Sequence, residues 1–258
     1  MIALTHKPSP NMQACERTFV SEVHINVGLA AQQHQAYCAA LSDCGAEVTV
    51  LDVNWNMPDG AFIEDTAVVL DEVAILCSMG AASRQREPAG IEKVLREFRP
   101  IERIELPATL EGGDVLRIGR RLLVGQSSRS NAAGIAAVQQ IAGRFGYQVT
   151  PIPVQGSLHL KTACTALPDG RLLINPAWID ERTLTDFDLI PIPEAEPWGA
   201  NVCLVGQSVI LPAAHVQTAK LISRLGFASK PVEISEFSKA EGGVTCLSLL
   251  LNEGVPRP

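Results

Sequence analysis

The chain has 258 residues, 47% of them hydrophobic and 19% charged, a globular composition that excludes disorder and allows a large core without disulfide or metal staples. Acidic residues outnumber basic ones 28 to 21, giving a net charge of −7, and no long basic run is present, so nucleic acid and anionic lipid are poor partners. No apolar stretch approaches the ~20 residues of a membrane span. The start, Met1 to Pro10, lacks the apolar core of a secretory signal. Seven cysteines without a C-x-x-C pair point to reduced thiols and a cytoplasmic protein.

Taken in order, the chain repeats one sequence of elements. Ala67–Leu70 and Val73–Cys77 are short apolar runs joined by Asp71-Glu72, the pattern of a tight hairpin. Val115–Ile118 with Leu122–Gly125, Ala163–Leu167 with Leu172–Asn175, and Asn201–Val205 with Ser208–Pro212 repeat it. A fifth pair is split between the termini, Val244–Leu251 pairing with Ile2–His6. The hairpins are followed by stretches of helical periodicity: Ile91, Val94, Leu95, Phe98; Ile135, Val138, Ile141, Ala142, Phe145; Val216, Leu221, Ile222, Leu225; and Ala31, His34, Tyr37, Cys38, Leu41. Gly45, Gly146 and Gly226 supply helix stops. A short strand then follows at Glu47–Leu51, Ile101–Leu106, Gln148–Ile152, Leu189–Ile192 and Val232–Ile234. The order strand, strand, helix, strand, at a period of roughly 50 residues, implies an array or a closed ring of α/β units. A hairpin made from the two chain ends would close the ring and hide its edges. The inner ends of such units converge on a central channel, where polar residues far apart in sequence would meet.

Several polar residues stand at equivalent points of these units. Cys246 follows Glu241-Gly242-Gly243 and opens an apolar strand; it is either a nucleophile, which needs a cation or base nearby, or a small buried hydrophobe. His159 precedes the third hairpin between two leucines, as a general acid and base or as a hydrogen-bonded core residue. Glu111, before Gly112-Gly113-Asp114, could orient an imidazole or simply mark a turn. Asp59, Glu64 and Asp65 sit among apolar residues, where carboxylates need a cation from the protein or a ligand. Arg84 and Arg129 follow successive hairpins and suit bidentate carboxylate binding. Together these groups suit a ligand with a cation beside the thiol and a carboxylate farther off.

Six segments in order carry a family resemblance: Pro58-Asp59 with Phe62-Ile63-Glu64-Asp65; Gly80 to Arg84; Leu110 to Asp114; Ser128 to Asn131; Leu158 to Thr162; and Gly242 to Ser248. The chain resembles the guanidino-group modifying enzymes, and most closely the dimethylarginine dimethylaminohydrolases. The resemblance implies a five-bladed α/β propeller forming one catalytic domain over residues 1–258. It implies hydrolysis of Nω-methylated arginine to citrulline and an alkylamine through a covalent thiouronium, with neither metal nor cofactor. It makes Cys246 the nucleophile, His159 the general acid and base, and Glu111 the acid positioning the histidine. Glu64 and Asp65 would hold the guanidinium, Asp59 the α-amino group, and Arg84 and Arg129 the α-carboxylate, with Ala240 and the lid residue Glu16 as further contacts. Lys161 stands where arginine deiminases and amidinotransferases carry an acid, which leaves the outer guanidine nitrogen unclamped and open to methyl groups. The expected partner is a small guanidino amino acid, with a homodimer as a compatible assembly. The alternatives are another guanidine-modifying reaction of the same superfamily and a non-catalytic binding propeller.

Overall fold

The computed structural model describes residues 1–252; the single-domain expectation runs to 258, and its last six residues lie outside them. The elements are, in chain order, β1 (Ile2–His6), α1 (Val27–Asp43), β2 (Glu47–Leu51), β3 (Ala67–Val69), β4 (Ala74–Leu76), α2 (Glu87–Leu95) and β5 (Ile101–Arg103). They continue with β6 (Val115–Ile118), β7 (Arg121–Gln126), α3 (Ala132–Gly143), β8 (Gln148–Pro153), α4 (Leu160–Ala163), β9 (Cys164–Ala166), β10 (Leu172–Ile174) and β11 (Leu189–Pro191). The last are β12 (Cys203–Val205), β13 (Ser208–Pro212), α5 (Val216–Arg224), β14 (Ala228–Val232), α6 (Ser235–Ser238) and β15 (Ser248–Leu251).

The short apolar runs do pair as hairpins, and each hairpin takes a third strand in parallel on its outer side. The result is five three-stranded sheets, ordered β15-β1-β2, β3-β4-β5, β6-β7-β8, β9-β10-β11 and β12-β13-β14. This is the expected five-bladed α/β propeller. The first blade uses both ends of the described chain: Ile2 pairs with Leu251 and Thr5 with Ser248, antiparallel, while β1 runs parallel to β2. Closing the ring this way covers backbone edges that would otherwise stay unpaired.

The core lies between neighbouring blades and under the helices. Val68, Val73 and Ile75 of the second blade pack with Leu122 and Val124 of the third and with Ile135, Val138 and Ala142 of α3. Asn26 and Asn131 cap α1 and α3 by accepting the Leu29 and Gly134 N–H groups. Gly45, Gly146 and Gly226 end their helices in the left-handed region, as the sequence implied. Among the described residues no helix is long and apolar enough to cross a membrane.

Three details differ from the sequence pattern. The fourth blade has no long helix; a 3-10 turn at Glu181–Thr183 leads into β11. The last strand is Ala228–Val232 rather than Val232–Ile234. It lies on a blade's outer edge, with only Val232 buried and Pro231 in the ladder, so apolar patterning gives it little signal. Val216, expected on the inner face of α5, is 53% exposed, because it opens the helix; Thr218 and Ile222 are the buried residues instead.

The propeller sets the direction in which its functional groups point. The innermost strands are β3, β6, β9, β12 and β15, which surround a central channel of about 470 Å³. Four of them are entered through a tight helical turn at the same mouth: Ile63–Thr66, Gly112–Asp114, Leu160–Ala163 and Thr245–Leu247. Asp65, Glu111, His159 and Cys246 all lie in or just before these turns.

Candidate active site

Cys246, His159, Asp65, Arg84 and Arg129 line one small cavity at that mouth, together with Asp59, Glu16 and Ala240. Phe62, Leu158, Glu241 and Gly242 complete its wall. Its volume is about 10 Å³, room for roughly one water molecule.

His159 caps the start of α4, and its Nε2 lies 2.7 Å from Glu111 Oε2. Its Nδ1 is 3.8 Å from Asp65 Oδ1. The other Glu111 oxygen accepts from Gly80 N–H at 3.0 Å. The glycines of Gly112-Gly113 are needed here: a Cβ on Gly113 would lie 2.7 Å from the His159 ring and 2.8 Å from Asp65. Burial works against a charged imidazole, but Asp65, the Glu111 hydrogen bond and Asp114 carry its pKa up to about 9. Burial likewise opposes a charged Glu111, but the His159 hydrogen bond and charge, with Arg84 and Arg129, hold it down to about 2. The two shifts agree in sense: the pair rests as imidazolium and carboxylate.

Cys246 is buried, and its Sγ accepts from Gly243 N–H at 3.4 Å. Burial, then the negative charge of Asp65 and Glu64, pushes the thiol up to about 12, so it rests protonated. A cation bound against Asp65 would reverse that bias. Gly243 has no space for a side chain, since a Cβ there would overlap the Asn201 amide.

Arg84 has different neighbours from those its motif suggested. Its Nη1 pairs with Asp65 at 2.8 Å and its Nη2 with Glu87 at 2.9 Å, both fully inside the protein. It therefore fixes Asp65 rather than presenting a free fork to a ligand. Arg129 is the guanidinium with capacity left. Its Nη2 donates to Thr18 Oγ1 at 3.3 Å, while its buried Nη1 lies 3.5 Å from Glu111 Oε1 without a hydrogen bond. Asp59 accepts from the Glu16 backbone N–H at 3.2 Å, and burial raises its pKa to about 6 against the pull of Arg84. The Glu16 side chain accepts from Ser83 Oγ. Glu64 lies apart from the cavity: it lines the channel and receives Lys161 Nζ at 2.5 Å.

Three contributors had no role in the sequence reading. Glu87 neutralises Arg84; the only signal was its spacing three residues after it. Asp114, quoted within a motif, accepts from Ser127 and Ser130 hydroxyls at 2.6 Å each and from Leu160 N–H at 2.8 Å. Ser130 Oγ in turn accepts from Glu111 N–H at 3.1 Å, so one buried carboxylate fixes the backbone on both sides of the His159–Glu111 pair. Glu241 accepts from the backbone N–H groups of Thr18, Phe19 and Val20, in the segment 16–20 that covers the cavity through Glu16 and its bond to Asp59. Asp65, Glu111 and His159 also bring possible metal ligands within 4.8 Å of one another. Two guanidiniums beside them and the hydrogen bond between His159 and Glu111 already meet those charges, so the donor set does not favour a cation.

The chain matches the family profile described as "N,N dimethylarginine dimethylhydrolase, eukaryotic" over residues 5–182. It is 40% identical to the N(G),N(G)-dimethylarginine dimethylaminohydrolase of Streptomyces coelicolor, across 97% of both chains. It is 36% identical to the Pseudomonas aeruginosa enzyme of the same name, across 85% of this chain and 87% of that one. A solved Pseudomonas aeruginosa structure, a cysteine-to-serine mutant complexed with citrulline, superimposes with a TM-score of 0.88 at 32% identity, covering 96% and 97% of the two chains. The chain belongs to the dimethylarginine dimethylaminohydrolase family.

Proposed function

We propose that this protein hydrolyses Nω-methylated arginine to citrulline and an alkylamine, with residues 1–258 acting as one catalytic unit. The observation that carries the reading is the cavity where a protonated thiol, a charged imidazole held by a buried carboxylate, and Asp65 face one another. Its relatives bear that activity in their names, and one neighbour holds citrulline. The seven free cysteines fit a reducing, cytoplasmic setting.

Asp65, fixed by Arg84 and Gly113 N–H, receives the substrate guanidinium. Asp59 takes the α-amino group and Arg129 the α-carboxylate. The arriving cation lowers the Cys246 pKa, and the thiol proton leaves to solvent. The thiolate attacks the guanidinium carbon, forming a C–S bond. The His159 imidazolium gives its proton to the departing amine as the C–N bond breaks, leaving a thiouronium on Cys246. Neutral His159 then takes a proton from water, the hydroxide adds to the same carbon, and the C–S bond breaks to release citrulline and the thiol. Positioned proton transfer contributes ~10²–10⁴-fold.

The test is a panel of dimethylarginine, monomethylarginine and arginine assayed for citrulline, with Cys246→Ser alongside. The methylated substrates are expected to react, and Cys246→Ser to bind substrate without turnover. Turnover of arginine alone would favour a deiminase, and full activity of Cys246→Ser would remove the nucleophile assignment.

A further inference from the structure

The cavity beside Cys246 is too small for any amino acid, so the covering segment must move in each catalytic cycle. That segment is tied down at several places: Ser83 Oγ donates to the Glu16 carboxylate and Arg17 Nε donates to the Lys239 carbonyl at 3.2 Å. The Glu16 N–H is held by Asp59, Thr18 Oγ1 by Arg129, and the consecutive N–H groups of Thr18, Phe19 and Val20 by the carboxylate of Glu241. The bonds from Thr18 and Val20 measure 2.8 and 2.9 Å. In the functional reading above, Asp59 and Arg129 meet the two ends of the ligand. Glu241 has no ligand group assigned to it, and it is the tie that gathers three consecutive N–H groups on one carboxylate.

Its backbone is also unusual. Among the described residues Glu241 is the only non-glycine with positive φ, at 62°. A long side chain is rarely held there, and such outliers gather where function over-determines the conformation. Here the conformation aims the carboxylate at the covering segment. It also leads directly into Gly242-Gly243, whose second N–H reaches the sulfur of Cys246. Phe19, in the middle of the clamped stretch, is 52% exposed, so its own side chain adds little apolar packing to the closure.

We propose that Glu241 is a positioning residue, a latch whose carboxylate holds residues 18–20 closed over the nucleophile and ties that closure to the turn carrying Cys246. The inference rests on the functional reading for its purpose, but not for its test. Trypsin cleavage after Arg17, followed by mass spectrometry, reads release of the segment without any turnover. Exposed Arg182 serves as the internal control. Glu241→Gln keeps the length but turns one acceptor into a donor. Glu241→Gly removes the carboxylate and relieves the backbone.

In both variants cleavage after Arg17 should quicken about tenfold relative to cleavage after Arg182. Alkylation of Cys246 by a haloacetamidine should quicken with it, and kcat should fall more than KM rises. Glu241→Gly should at the same time match or exceed the native Tm, which a merely structural role would not allow. Unchanged relative cleavage after Arg17 in both variants would overturn the latch. So would parallel acceleration at both sites with a lowered Tm.

Discussion

Replacing Glu111 by Gln tests whether His159 works as an imidazolium because of its carboxylate neighbours. The rise of the His159 pKa from 6.5 to about 9 corresponds to roughly 3 kcal/mol at about 1.36 kcal/mol per pH unit. Asp65, Glu111 and Asp114 share it, so removing the Glu111 charge should lower the His159 titration by roughly one pH unit. The amide keeps one acceptor only. Glu111 now receives both Gly80 N–H and His159, so one of these donors would face an NH2 group, costing about 1–3 kcal/mol. In the native protein the His159 contribution to stability is fully present below 6.5 and is lost as pH rises through about 9. The Glu111 contribution is present above 4.5 and lost as pH falls through about 2. The assay is kcat for citrulline formation against pH, beside an NMR titration of the imidazole. The alkaline limb and the imidazole resonance should move together to lower pH in Glu111→Gln. An imidazole titrating at the native pH would refute the account, because the buried charge would then have no influence on the ring it touches.

Arg129→Ala should raise KM for dimethylarginine about tenfold or more beyond any change seen with a methylated agmatine, which lacks the carboxylate. Equal losses on both would place the carboxylate elsewhere. Arg84→Ala leaves Asp65 and Glu87 buried without their cation and should cost about 3–5 kcal/mol in chemical denaturation. Because the Glu87 pKa already stands at about 7, that loss should deepen as pH rises from 5 to 8; a loss independent of pH would speak against it.

The sequence by itself determined the repeating architecture, because hairpins and amphipathic helices are local patterns, and five of them with matched ends leave little choice but a ring. It also marked Cys246, His159, Glu111 and Asp65, since each stands at the same turn before an innermost strand. It could not register the edge strand at Ala228–Val232, whose outward side chains carry no apolar alternation. Nor could it allot charges among partners. Arg84 and Arg129 occupy equivalent points in their units, yet only the tertiary fold brings Glu87 and Asp65 to the first and leaves the second a spare donor. Glu64 and Asp65 are adjacent in the chain but face the channel and the cavity respectively. The clamp between Glu241 and residues 18–20 joins segments more than 220 residues apart through backbone N–H groups, which every residue except proline possesses and which therefore leave no mark in sequence.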